Sequence, residues 1–420
     1  MRLIFRAYWP VLSFVFILTS CGETFRPIAT PVSSGGGDPQ AQKLAIVVST
    51  NGPSGDGANT HINVSGDTNV GQVNLGQDPV HAALVGNNSL TYVANRASGS
   101  GKPSITAYTT TIQTTQSGPP ATITLPDNSS PRWLTGGLAN VYVALAGNNS
   151  IGFLTPGQNT LNGEIPVGTT PVMIVSLNNG SKLYAANQGA GTVSVIKQLD
   201  NTVIATVGVG AQPTHIAASA DSGYVYVVNR GSNTVSVIDT ATDAVIGTLP
   251  VGAAPNYAVF ESKQLRVYVT NSGGNSISAI NADKNSPNFM AVTNIPVGTA
   301  PVSLAALADG SRVYVANSGS NSISVVSALS SSQQSVISTG TTMPVSINAA
   351  PDSSKVIVGV VDTIPLSATH SDASAILSIR TSDNTIAATN PAPFASPTCV
   401  NPAPASLCAR MKPLYVAMFF

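Results

Sequence analysis

Pro213-Thr214-His215-Ile216-Ala217-Ala218 is followed by Asp221-Ser222-Gly223, by Tyr224-Val225-Tyr226-Val227-Val228 and by Asn229-Arg230-Gly231-Ser232-Asn233. Thr234-Val235-Ser236-Val237-Ile238 comes next, and after Asp239 to Asp243 the stretch ends in Ala244-Val245-Ile246-Gly247-Thr248-Leu249. Each apolar run is short and rich in β-branched residues, which suit a pleated, half-buried strand. Each break is made of Gly, Asn, Asp and Ser, the residues that turn a chain. The alternation predicts four strands, here lettered A to D, joined by hairpins. Outside the N-terminal segment no stretch carries a convincing amphipathic helical period.

The unit recurs along the chain. Its second strand reads Tyr92-Val93-Ala94-Asn95, Tyr142-Val143-Ala144-Leu145, Tyr184-Ala185-Ala186-Asn187, Tyr226-Val227-Val228-Asn229, Tyr268-Val269-Thr270-Asn271 and Tyr314-Val315-Ala316-Asn317. From Tyr142 to Tyr184, Tyr184 to Tyr226 and Tyr226 to Tyr268 the interval is 42 residues each time. A fixed period in this range means stacked supersecondary units, and four antiparallel strands per unit make the blade of a β-propeller. A WD40 reading lacks its dipeptide, because neither Trp9 nor Trp133 is followed by Asp. The repeated motif resembles the YVTN family of β-propeller repeats, over about residues 44–395. That resemblance implies a bacterial envelope protein or an archaeal surface-layer protein.

Counting blades needs the imperfect copies too. Strand A opens at Pro79, Pro131, Pro171, Pro213, Pro255, Pro301 and Pro344, with a shortened echo at Pro404-Ala405-Ser406-Leu407. Residues 44–48, 61–64 and 72–75 read as strands B, C and D with no A before them. The fold class expected is all-β: a β-propeller of four-stranded antiparallel blades, eight favoured over seven, its ring closed by N- and C-terminal strands. Pro413-Leu414-Tyr415-Val416-Ala417 reads as a further strand B, in competition with residues 44–48 for one place.

Arg2 and Arg6 precede an apolar stretch from about Val11 to Leu18, the pattern of a cleaved signal peptide over residues 1–20. Leu18-Thr19-Ser20-Cys21 resembles a bacterial lipobox, which implies that Cys21 is lipidated. Gly22 after it lacks the aspartate of an inner-membrane retention signal, so the outer membrane is favoured. Residues 21–42, rich in Pro and Gly, form a flexible tether ahead of one propeller domain over residues 43–420. Cys399 and Cys408 remain, and an oxidising compartment allows them a disulfide. Lys plus Arg number 18 and Asp plus Glu 18, so the chain lacks the basic excess that nucleic acid requires. A monomer is expected.

The motifs that carry chemistry are mostly absent. There is no Gly-x-Ser-x-Gly elbow, His-Glu-x-x-His pair or phosphate-binding loop. His61, His81, His215 and His370 are scattered over four units, so neither a metal nor a cofactor is predicted. More is learned by comparing units. Two places after each strand A proline stand His81, Trp133, Met173, His215, Tyr257, Ser303, Ser346 and, in the echo, Ser406; the next residue is always Ala, Leu or Ile. Alternation puts these two positions on opposite faces of the strand. The variable one lies where a propeller channel opens, and His81, Trp133, Met173, His215 and Tyr257 are candidates either to line a ligand pocket or to fill gaps between blades.

The B-to-C connections vary as well. Tyr142, Tyr184, Tyr226, Tyr268 and Tyr314 each lie nine residues before the matching aliphatic residue of strand C; from Ile46, Tyr92 and Ile357 the spacing is 16, 13 and 19. These three enlarged connections belong to neighbouring blades around the closure, on the face where strand A begins. Long loops on a rigid scaffold carry binding sites, here with Asp56, Asn59, Arg96, Lys102, Asp362, His370 and Asp372 as candidates. The asparagines that end strand B are read as structural. The function expected is a lipid-anchored envelope scaffold that binds a protein or glycan through one face, with catalysis uncertain. The alternatives are a lactonase-like or quinoprotein-like enzyme using the channel, and a structural surface-layer-like module.

Overall fold

The computed structural model describes residues 44–52, 55–85, 90–97, 101–110, 120–364, 371–393 and 409–419. The leader, the tether with Cys21, both Cys399 and Cys408, and His370 lie outside the described residues. The described chain forms eight four-stranded antiparallel sheets and no helix. In chain order, blades 1 to 7 cover residues 79–124, 131–166, 171–208, 213–250, 255–296, 301–338 and 342–391. Blade 8 combines residues 44–77 with 412–419. Each strand A packs against strand A of the next blade, all the way round, so the ring closes with the A strands innermost.

The core lies between blades, and the repeat explains why. Strands B and C bury both faces, so their Val, Ile, Ala and Tyr form near-continuous apolar runs; Tyr92, Tyr142, Tyr184, Tyr226, Tyr268 and Tyr314 are fully buried. Strand D is outermost and alternates, as Ala244–Pro250 does in blade 4. Each strand A opens with a bulge: Pro213 pairs with Asn229 and His215 with Val228, leaving Thr214 out of register. In blades 1 to 6 the residue just before the proline takes a left-handed conformation, as at Gln212 (φ 52°) and Ala254 (φ 48°). Its carbonyl then accepts the N–H of the residue after the motif asparagine, as from Arg230 to Gln212 at 3.1 Å. D-to-A and B-to-C connections thus share one hydrogen-bonded face.

The closure differs from the sequence expectation in one respect. The innermost place of blade 8 is taken by Lys412–Phe419, which pairs antiparallel with Leu44–Thr50. Pro404-Ala405-Ser406-Leu407 was expected there and lies outside the described residues. The strand read as a second B is therefore an A strand, and its grammar agrees: Pro413 opens it, Tyr415 stands two places on, and Val416 follows as the aliphatic residue. Blades 7, 8 and 1 stand side by side, as the ring order requires. In blade 8 the extra B-to-C residues mostly lengthen the hairpin, which stays paired out to Ser49 and Ala58. Blades 1 and 7 carry true long connections, residues 96–103 and 363–374.

Candidate functional site

The bulge at the head of strand A decides what the bore contains. In blades 1, 3 and 4 the side chain two places after the proline reaches the next blade and accepts a backbone N–H. His81 Nδ1 accepts from Leu134 N at 3.2 Å and His215 Nδ1 accepts from Ala258 N at 3.3 Å. Met173 fills the same role, its Sδ 2.9 Å from Ile216 N. His81, Met173 and His215 therefore bridge blades from the innermost strands. Tyr415 joins them from blade 8, in the place where the sequence reading put Ser406.

Five rings from this set pack together. His81 stacks on Trp133 at 3.7 Å and lies 4.3 Å from Tyr415. Trp133 also meets His215 edge-on at 5.5 Å, and His215 lies 4.1 Å from Tyr257. Ser303 and Ser346, from blades 6 and 7, are the two small members of the circle. Such aromatic pairs contribute about 0.5–1.5 kcal/mol each beyond their buried area. Burial pulls the His215 imidazole down to about 3 and, with His215 nearby, His81 down to about 3. Burial also pushes the Tyr257 hydroxyl up to about 12. Both histidines are neutral, and because Nδ1 accepts, each proton sits on Nε2. An imidazole in that state has no lone pair left for a metal. Among the described residues neither Nε2 has a hydrogen-bond partner, nor does Ser346 Oγ.

The loop candidates divide into two groups. Asp56 is exposed, and Lys102 is 71% exposed with Asp127 3.6 Å away. Arg96 makes two bonds to buried Asp78, at 2.9 and 3.1 Å. Asn59 is buried and donates to Tyr108 Oη at 2.5 Å, which also lies 3.2 Å from His61 Nε2. Asp362 accepts from Ile364 N and Ala373 N, tying the two ends of connection 363–374 together. Asp372 accepts from Ser374 N and, at 2.7 Å, from Arg410 N, where the chain enters the closing strand. Asn59, Asp362 and Asp372 thus support the fold beneath the face, while Asp56 and Lys102 are presented on it.

Sequence reasoning missed Tyr415 as a bore residue, although the spacing from Pro413 was a usable signal. It also missed the His61, Asn59 and Tyr108 trio, which forms across blades 8 and 1 and leaves no local pattern. Among the described residues no three His, Cys, Asp or Glu side chains converge as a metal site.

The fold is an eight-bladed β-propeller whose innermost strands carry a cluster of neutral imidazole and aromatic rings. No family model and no curated protein matches the chain. Solved structures do match. Dihydro-heme d1 dehydrogenase NirN in complex with DHE is 13% identical over 87% of this chain and 76% of its own, with a TM-score of 0.67. Apo AztD from Citrobacter koseri is 10% identical over 90% of this chain and 98% of its own, at 0.61. A putative 6-phosphogluconolactonase from Bacteroides fragilis is 17% identical over 69% and 92%, at 0.53. At these identities the likeness is one of fold, shared by β-propellers of varied function.

Proposed function

We propose that the protein is a binding scaffold of the bacterial cell envelope, a YVTN-type propeller tethered to the outer membrane through lipidated Cys21. Its partner is an envelope protein or glycan, engaged by the face that carries the B-to-C connections. One observation carries this reading. Strand B of blade 8 starts beside the end of the closing strand, Leu44 opposite Phe419, so the tether enters at the face opposite the long connections. An anchored molecule then holds the loop-bearing face away from its own membrane attachment. The enzyme alternative draws less support, since the bore histidines spend Nδ1 on neighbouring blades and carry protons on Nε2.

Two measurements test the reading. Cys21→Ser should move the protein from the membrane to the soluble fraction; continued membrane attachment would dispose of the anchor. Connections 96–103 and 363–374 can be cut to the length of residues 188–191 in blade 3. Binding to purified sacculi and outer-membrane extract should then fall while the melting temperature holds. Unchanged binding would remove the loop face from consideration.

A further inference from the structure

The bore contains polar groups that the fold leaves unused. His81 Nε2, His215 Nε2 and Ser346 Oγ are buried and lack partners among the described residues. An unmade hydrogen bond on a buried donor is costly, so such groups mark a place where something accepts. Trp133, Tyr257 and Tyr415 beside them are half-buried rather than closed off, although they lie on innermost strands, so they border a solvent-reachable space. Ser303 and Ser346 carry the smallest side chains of the circle and are themselves buried.

The chemistry of this lining narrows the ligand. Ring faces offer apolar contact to C–H groups, while N–H and O–H groups offer hydrogen bonds. The imidazoles carry no charge, and a carboxylate or phosphate held among them would lose its hydration without a counter-ion. A cation would meet two N–H donors pointing the wrong way. We propose that the bore binds a neutral saccharide, its hydroxyl and ring oxygens accepting from His81, His215 and the Tyr257 and Tyr415 hydroxyls, and its C–H face packed on Trp133. The site is separate from the loop-bearing face and does not depend on it.

Trp133 gives a direct readout. The chain has two tryptophans, and the other, Trp9, lies in the leader segment. Trp133 emission of the full-length protein would be followed against maltose, cellobiose, lactose and N,N′-diacetylchitobiose, with glucuronate as the charged control. A saturable change with at least one neutral sugar is expected. Tyr257→Phe and Tyr415→Phe keep ring and shape, and each should weaken that binding by about tenfold, the scale of one good hydrogen bond. Circular dichroism and melting would confirm that both variants are folded. Three results would overturn the proposal: no saturable change up to tens of millimolar sugar, an affinity that both variants leave unchanged, or glucuronate binding as tightly as the neutral sugars.

Discussion

Asn95, Asn187, Asn229, Asn271 and Asn317 end strand B in five blades, and each donates Nδ2 to two hydroxyls of strand C. For Asn229 these are Thr234 Oγ1 at 3.2 Å and Ser236 Oγ at 2.9 Å. A glycine of the preceding D-to-A connection lies flat on the amide; a Cβ on Gly210 would come within 2.8 Å of Asn229. The sequence marked these asparagines as structural through the turn habits of the residue, but the left-handed positions belong to others, such as Asn233 (φ 56°). Strand C hydroxyls five and seven residues on, nine and eleven for Asn95, are the real partners, and a turn rule does not look that far. Blade 2 shows the pairing by exception: Leu145 replaces the asparagine, and Gly152 replaces the second hydroxyl and makes room for it. Asn229→Ala should therefore cost about 1–3 kcal/mol, the penalty of stranding buried partners, measured by urea unfolding. A loss under half a kcal/mol would show that the hydroxyls find other partners. The buried imidazoles give a second prediction at this scale. His61 is lowered to about 4 by burial, and His81 and His215 to about 3, against 6.5 for a free ring. The unfolded chain then takes up protons first as the pH falls. Stability is complete above 6.5 and is lost as the pH drops from 6.5 toward 3, by up to about 1.4 kcal/mol per pH unit for each ring. Melting curves across this window should show the fall, and His81→Gln with His215→Gln should flatten it. An unchanged slope in the double variant would assign the acid sensitivity to other groups.

Between blades, the repeated tyrosine reaches the C-to-D turn of its neighbour. Tyr142 donates to Asn201 Oδ1 at 2.7 Å, Tyr184 to Asp243 Oδ1 at 2.6 Å and Tyr314 to Asn384 Oδ1 at 2.6 Å. The acceptor stands in the left-handed region each time, which suits Asn and Asp (φ 57°, 51° and 57°). Lys182 adds an ion pair to Asp243 at 2.7 Å, and Lys355 does the same to Asp67 across the closure at 2.6 Å. Blade 5 breaks the pattern. Its C-to-D connection, residues 282–291, puts Met290 in the acceptor's place, and Tyr226 Oη has no partner among the described residues. The same insertion attaches elsewhere, with Phe289 5.3 Å from Tyr224 and Lys284 3.3 Å from Asp221. Two tyrosines equivalent in sequence should thus respond differently. Asp243→Ala strands both Tyr184 and Lys182 and should cost about 2–3 kcal/mol, whereas Tyr226→Phe should be neutral or slightly stabilising. Equal losses in denaturant titrations would refute the latch. These contacts were not legible in the sequence, because each joins residues about one and a half repeats apart. It did carry the insertion, since the interval from Tyr268 to Tyr314 is 46 residues rather than 42.

At the scale of the whole molecule, the ring depends on one strand that comes from the far end of the chain. The blade count and the split blade were legible because seven prolines repeat and residues 44–77 lack a strand A. The identity of the closing strand was not, because Pro404 and Pro413 both satisfy the opening signal and only spatial pairing separates them. Lys412–Phe419 covers the inner edge of Leu44–Thr50, every residue of which is buried. Blade 7 holds it in place: Asn348 Nδ2 donates to Val416 O at 3.2 Å, and Arg410 donates to Ala392 O at 2.8 Å. Gly359 has no side chain where one would press within 2.8 Å of Pro413 Cβ. Removing residues 409–420 would bare a sheet edge, delete Tyr415 from the ring cluster and separate blades 7 and 1. Such an edge invites pairing with another chain, so the truncated protein should aggregate and lose the Trp133 emission of the native bore. The missing strand need not come from the C-terminus. Because Leu44 lies opposite Phe419, a linker the length of residues 219–223, the A-to-B turn of blade 4, can join the two ends. New termini can then be opened in the D-to-A connection at residues 209–212. This permutant places the strands of blade 8 in the same hairpin order as every other blade and should fold with native Trp133 emission. A truncated chain that melts and fluoresces like the full protein would show that Lys412–Phe419 does not close the ring, and a permutant that fails beside a stable truncation would lead to the same conclusion.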